Sequence, residues 1–185
     1  MSGPGARGEA PARTIQLQFV RQATLASDVI AWFSAGHFSH VEALVDDGRM
    51  TLGSYEASVE SGGAAIPPGV HYRPVGYNRL ALRVICTIPC SEAQHSLWWN
   101  FMDAQIGKEY DWWAILGFVV DRNWREPGSW ICSELQARAL EKAGVIPRLY
   151  LAANKITPVA LALALSAVKG VEFASASAST GGAGA

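Results

Sequence analysis

The sequence predicts an α+β domain in which a small antiparallel sheet packs against helices. Apolar residues alternate with period two through the first half of the chain and recur at helical spacing through the second. Asp47-Gly48 sits between two alternating runs, as the turn of a hairpin does. The chain has 185 residues, 50% of them hydrophobic and 17% charged, enough for one domain with a sizeable core and too few for two comfortable ones. With 15 Lys and Arg against 16 Asp and Glu, the formal charge of −1 supplies no field to hold a phosphate backbone, so nucleic acid is not an expected partner.

Met1 to Arg13 is Gly/Pro-punctuated without an apolar run, which predicts a disordered N-terminal tail, no signal peptide and a cytoplasmic start. Thr14 to Arg21 alternates, Ile15, Leu17 and Phe19 against Gln16 and Gln18, as a half-buried strand does. Ser27 or Asp28 can cap a short helix through Val29 to Phe33, ended by Gly36. Ser39 to Asp46 alternates again and places Val41, Ala43 and Val45 on one face, His40, Glu42 and Leu44 on the other. Met50 to Ala57 returns as its partner, and Val70 to Arg73 with Leu80 to Ile88 completes a meander.

Ser91 and Gln94 form a capping box that opens a helix through Leu97, Trp98, Phe101 and Met102 to a stop at Gly107. Asp111 caps an apolar segment, Trp112 to Val120. Ile131 to Ala143 carries Leu135, Ala139 and Leu140 at helical spacing, with Gly144 past its end. Thr157-Pro158 opens the last helix, and the charge-free run Ile156 to Val168 is shorter than the roughly 20 apolar residues a membrane span needs. With neither repeat nor linker, residues 14–173 form one domain, and Ala174 to Ala185, only Ala, Ser, Gly and Thr, form a second disordered tail.

Cys132 falls in the first turn of the Ile131 to Ala143 helix. Free backbone N–H groups and the positive end of the helix dipole would stabilise a thiolate there, and the same groups could hold an oxyanion. A buried structural thiol is the alternative. A cysteine nucleophile wants an imidazole as proton acceptor, and His40, on a strand two residues before Glu42, is the candidate, with a satisfied partly buried histidine as its alternative. His37, His71 and His95 have weaker contexts. Cys86 and Cys90 read as small buried hydrophobes. His37, His40 and Glu42 do not make a zinc site, since no second cluster supplies the remaining ligands; nor is there a Gly-rich phosphate loop, so neither metal nor cofactor is expected.

Several segments carry a resemblance. Phe38-Ser39-His40-Val41-Glu42, then Gly53, Gly69-Val70-His71-Tyr72-Arg73-Pro74, Gly107-Lys108-Glu109-Tyr110-Asp111 and Trp130-Ile131-Cys132-Ser133-Glu134-Leu135 resemble the permuted papain-like cysteine hydrolases of the NlpC-type cell-wall peptidase superfamily, in the branch with YiiX-like and phage-encoded members. The resemblance spans about Thr14 to Val168. In that branch the histidine strand precedes the nucleophile helix, the reverse of papain and the order found here.

The resemblance implies a circularly permuted papain-like fold with Cys132 as nucleophile and His40 as base. The orienting third group comes from the strand after the histidine in such proteins, which makes Glu56 the first choice and Glu42 the rival; Gly53 and Ser54 stand nearest the expected place. It further implies substrate contacts at Tyr110, Trp130 and Ser133, with Trp112, Trp113 and Trp124 walling a cleft or packing in the core. The implied activity is hydrolysis of amide bonds in peptidoglycan stem peptides by a phage-associated or prophage-associated enzyme, with virion tail proteins as partners and a virion location. A lipid or acyl-ester hydrolase or acyltransferase, and a catalytically silent tail or assembly module, are the alternatives on the same scaffold.

Overall fold

The structure is a computed structural model and describes residues 13–22, 37–55, 58–59, 65–77, 80–110, 130–149 and 156–176. Strands β1 (Arg13–Gln22), β2 (His40–Val45) and β3 (Met50–Tyr55) are followed by a small ladder, β4 (Ser58–Val59) with β5 (Ala65–Ile66). Then come β6 (Gly69–Pro74), β7 (Leu80–Cys90), helices α1 (Glu92–Asp103), α2 (Cys132–Lys142) and α3 (Pro158–Ser166), and finally β8 (Glu172–Ser175). The main sheet has six strands in the order β6-β3-β2-β1-β7-β8, and every pairing in it is antiparallel. The α+β expectation holds in that form.

Alternation puts one apolar row on the helix side of the sheet. Ile15, Leu17 and Phe19 of β1, Val41 and Ala43 of β2, Leu52 of β3, Val70 of β6 and Cys86 and Ile88 of β7 pack in one core. Trp98 and Met102 of α1, Leu135, Ala139 and Leu140 of α2, and Leu161 and Leu165 of α3 complete it. α2 lies on β2 and β3 and against α1. Its first two turns are buried all round, so Ser133, Glu134 and Gln136 are interior too, and Gln136 Nε2 donates to the Leu52 carbonyl at 3.2 Å.

The local signals explain the boundaries. Asp46, Asp47 and Gly48 all take positive φ (51°, 51° and 79°), a conformation Asp tolerates and Gly takes freely, and this turns β2 back into β3. The Ser91 capping box is formed, with Ser91 Oγ accepting from the Gln94 N–H and the Gln94 side chain accepting from the Ser91 N–H. Thr157 caps α3 through a bond from the Ala160 N–H.

Three differences from the sequence reading have physical causes. α1 ends at Asp103, and tight turns, Gln105 N–H to Met102 O and Ile106 N–H to Asp103 O, carry the chain on to Gly107. β7 runs past Ile88 to Cys90 because β1 offers partners as far as Arg13. β8 was not anticipated: Ala174 and Ser175, assigned to the tail on composition, pair with Ile85 and Val84 through backbone groups, which need no side-chain signature. The helix expected at Val29 to Phe33 and the segment Trp112 to Val120 lie outside the described residues.

The second face of β2 and β3 carries the polar residues. His40 and Glu42 alternate with Val41 and Ala43, and the ladder sets Gln18 beside Glu42, Val20 beside His40, Arg73 beside Thr51 and His71 beside Gly53. The sequence placed two polar groups, His40 and Glu42, on one face of β2. The strand is buried from His40 through Leu44, and Thr51, Tyr55 and Arg73 are buried alongside it. Polar groups removed from water must find partners in one another.

Candidate active site

Cys132 is the first residue of α2. The preceding residue, Ile131, occupies the cap position in extended conformation and contributes no side-chain hydrogen bond, so the cap residue leaves the donors of the first turn free for other acceptors. The first helical bond is Leu135 N–H to Ile131 O, at 3.1 Å. The sulfur is 6% exposed as a residue and takes hydrogen bonds from the backbone N–H groups of Val41 and Ser133 as well as from His40. Burial pushes the thiol pKa up; the His40 charge and hydrogen bond, joined by the two backbone donors, outweigh it and bring it below the ordinary thiol value.

His40 opens β2, whose approach is pinned by Ser39 N–H to Val20 O at 2.9 Å. Burial by itself would favour the neutral ring. The Cys132 charge and hydrogen bond, then the nearby Glu42 carboxylate, outweigh that effect and raise the imidazolium pKa. The shifts of Cys132 and His40 run in opposite senses, as they do for a thiolate–imidazolium pair that titrates as a unit.

Glu42, the rival candidate for the orienting group, lies beside His40. Its Oε2 lies 3.6 Å from His40 Nε2, just beyond hydrogen-bond length, and among the described residues that nitrogen has no hydrogen-bond partner. Side chains two apart on a strand stand about 6.6 Å apart at their roots, and the longer Glu arm closes most of that gap. Glu56 lies outside the described residues. The Ser54 hydroxyl donates to the Trp130 carbonyl at 2.6 Å. Gly53 leaves room: a Cβ there would come within 3.1 Å of Glu42 Cβ and 3.4 Å of the Tyr55 ring.

The carboxylate is completely buried and well supported. Gln18 Nε2 donates to Oε1, and the Tyr77 hydroxyl donates to Oε2 at 3.4 Å. Burial would raise the Glu42 pKa, but the nearness and charge of His40, then the neighbouring Tyr55 hydroxyl and the Gln18 amide, hold it below the ordinary carboxyl value. Beside it, Arg73 is stacked between Tyr55 and Tyr77, its guanidinium carbon 4.3 and 4.9 Å from the two ring centroids, and its Nε donates to His71 Nε2 at 3.0 Å. His71 therefore accepts as a neutral ring. Burial and then the Arg73 charge lower its pKa.

The three residues expected to touch substrate have structural engagements. Ser133 is 1% exposed and its hydroxyl donates to the Ile156 carbonyl, fixing the entry to α3. Tyr110 is buried and forms a parallel bridge with Trp130. Trp130 donates its indole N–H to Gln105 Oε1 at 3.2 Å, sets its ring edge-on to Phe101, and bonds backbone to backbone with Glu109. These two residues brace the approach to Cys132. Asp111, Trp112, Trp113 and Trp124 lie outside the described residues.

Sequence reasoning missed Gln18, Tyr55, Tyr77, Arg73 and Arg83. Gln18 was visible as the polar member of an alternating strand, but its meeting with Glu42 depends on strand order, which the sequence left open. Among the described residues no group of three or more His, Cys, Asp or Glu side chains could hold a metal ion, and no helix is long and apolar enough to cross a membrane. A groove of about 380 Å³ near the β2–β3 turn, lined by residues such as Asp46, His95 and Trp98, contains none of the groups above. No family model matches the chain, and no curated protein matches it.

Proposed function

We propose that the protein is a cysteine hydrolase acting on amide bonds. The observation that carries this reading is the juxtaposition of a thiol at a helix start, an imidazole on the neighbouring strand and a buried carboxylate beside that imidazole, with Cys132 and His40 shifted toward the ion pair. A structural cysteine needs none of this; Cys86, buried in the same core, has its pKa raised to about 12 by desolvation alone.

In the proposed cycle the Cys132 thiolate attacks the carbonyl carbon and the electron pair of the C=O bond moves to oxygen. The first-turn N–H groups of α2 stabilise that oxyanion. As it collapses, the C–N bond breaks and the His40 imidazolium gives its proton to the leaving amine, which leaves a thioester on Cys132. Neutral His40 then takes a proton from water, the hydroxide adds to the thioester, and the acid product departs as the thiolate re-forms. Glu42 faces Nε2 of His40, which leaves Nδ1 as the nitrogen for the thiol proton and orients the ring between the two.

The resemblance in the His40 and Cys132 segments supports peptidoglycan stem peptides as substrate, and through its phage-encoded members a virion setting. The test is release of free amines from purified peptidoglycan by the wild-type chain and by Cys132→Ala. Loss of release in the variant supports the reading. Equal release from both, or none from the wild type alongside cleavage of acyl esters, refutes the amidase assignment.

A further inference from the structure

The buried carboxylate beside His40 does not stand alone, and the groups behind it form a directed chain. Arg83 Nε donates to Gln18 Oε1 at 2.8 Å, Gln18 Nε2 donates to Glu42 Oε1, and Glu42 Oε2 faces His40 Nε2. The chain crosses three adjacent strands, β7, β1 and β2. Gln18 is paired in register with Glu42 on one side and Ile85 on the other, while Arg83 lies opposite Val20, itself opposite His40.

Its direction is fixed by donor and acceptor chemistry. A guanidinium can only donate, so Arg83 claims the carbonyl oxygen of the Gln18 amide and leaves the NH₂ end for Glu42. With the amide reversed, a carbonyl oxygen would face the carboxylate and an NH₂ would face the guanidinium, two repulsive contacts in place of two attractive ones. Gln18 is 1% exposed, so water is not at hand to relieve them.

We propose that Gln18 and Arg83 are positioning residues of the active site: Arg83 fixes the orientation of the Gln18 amide, which holds Glu42 as an ionised acceptor turned toward His40. The proposal rests on the cysteine-hydrolase reading above and deepens it by extending the supporting groups from one to three. Neither Gln18 nor Arg83 touches substrate. Both act through Glu42 on the charge state of the His40–Cys132 pair.

The experiment is iodoacetamide labelling of the full chain at pH 6 and pH 9, with Cys132, Cys86 and Cys90 followed separately by peptide mass spectrometry. The proteins are wild type, Arg83→Met, Gln18→Met, the double variant and Arg83→Lys. Wild-type Cys132 reacts at pH 6 at a rate close to its pH 9 rate. Each Met variant slows the pH 6 reaction about tenfold, the equivalent of one pKa unit in thiolate fraction, and leaves the pH 9 rate unchanged. The double variant is no slower than either single one, because both break the same chain. Arg83→Lys, which still donates, keeps most of the wild-type rate.

Single variants that match the wild type, or a double variant slowed about a hundredfold by independent effects, overturn the relay while leaving the hydrolase reading in place. A wild-type Cys132 that labels at pH 6 like an ordinary thiol overturns the reading itself. Loss of fold is recognised separately, because it speeds labelling of buried Cys86 and Cys90.

Discussion

Replacing Glu42 by Gln keeps size and shape and removes one buried charge. In the wild type the carboxylate accepts from Gln18 and from Tyr77 and faces the His40 ring, all without exposure to water. An amide in its place must turn an NH₂ toward either the Gln18 NH₂ or His40, so at least one donor is left facing a donor. A hydrogen bond to a charged group contributes about 1.5–3 kcal/mol, and a stranded buried donor costs about 1–3 kcal/mol, so Glu42→Gln should destabilise the fold by about 2–4 kcal/mol at pH 7. Set against a total stability of about 5–15 kcal/mol, this is readily measured by urea unfolding.

The pH dependence supplies the sharper test. The folded-state pKa of Glu42 is depressed, so its stabilising contribution is present above the ordinary carboxyl value of about 4.5 and is lost as pH falls through the depressed value. The gap between wild type and Glu42→Gln should therefore be full at pH 7 and narrow steadily on acidification below pH 4.5. A gap under about 0.5 kcal/mol at pH 7, or one of constant size across the whole range, would refute the claim that Glu42 is an ionised, hydrogen-bonded group in the native state.

Other predictions follow from the same geometry. His40→Asn removes the counter-ion of Cys132; an ordinary thiol of pKa about 8.5 is ionised to roughly 1 part in 300 at pH 6, so labelling of Cys132 there should fall by one to two orders of magnitude. Equal pH 6 rates in the two proteins would exclude the ion pair. Gly53→Ala pushes a methyl against Glu42 and Tyr55; it should cost about 1–3 kcal/mol in urea unfolding and lower the pH 6 labelling rate, whereas a neutral outcome on both would show that Glu42 has room to move. Ser133→Ala loses the bond to the Ile156 carbonyl, so stability should drop by about 1–2 kcal/mol while low-pH labelling of Cys132 stays as in wild type. A change in labelling without one in stability would return Ser133 to the active site.

The elements best read from sequence were those in which propensity, pattern and punctuation agreed. The Ser91 capping box, the Asp47-Gly48 turn and the period-two runs of β1 and β2 are local signals, and each marks an element that forms. The pairing of Cys132 with His40 was legible from motif and order, because a helix start and a strand residue can be recognised separately. What escaped was everything that depends on neighbours far apart in the chain. Gln18, Glu42 and Arg83 meet only because β1 lies between β2 and β7. Arg73 was read on a strand and Tyr77 lies just past its end, but which strand lies beside them was not in the local pattern. β8 was hidden for the opposite reason, since pairing through its backbone leaves composition uninformative.

In the proposed reading His40 and Glu42, the acid–base half of the machinery, ride on one strand as a single rigid part, and the thiol sits on another, the helix α2. The two parts meet where α2 packs on β2, in a core that holds Leu135 and Ala139 together with Val41 and Ala43. Oily residues there act as shims: trimming Leu135 by a few methyl groups, too little to melt the domain, would let the helix rock and throw sulfur and ring out of register. Catalytic loss should thus outrun loss of folding along this seam, and variants that restore volume without restoring chemistry should bring turnover back.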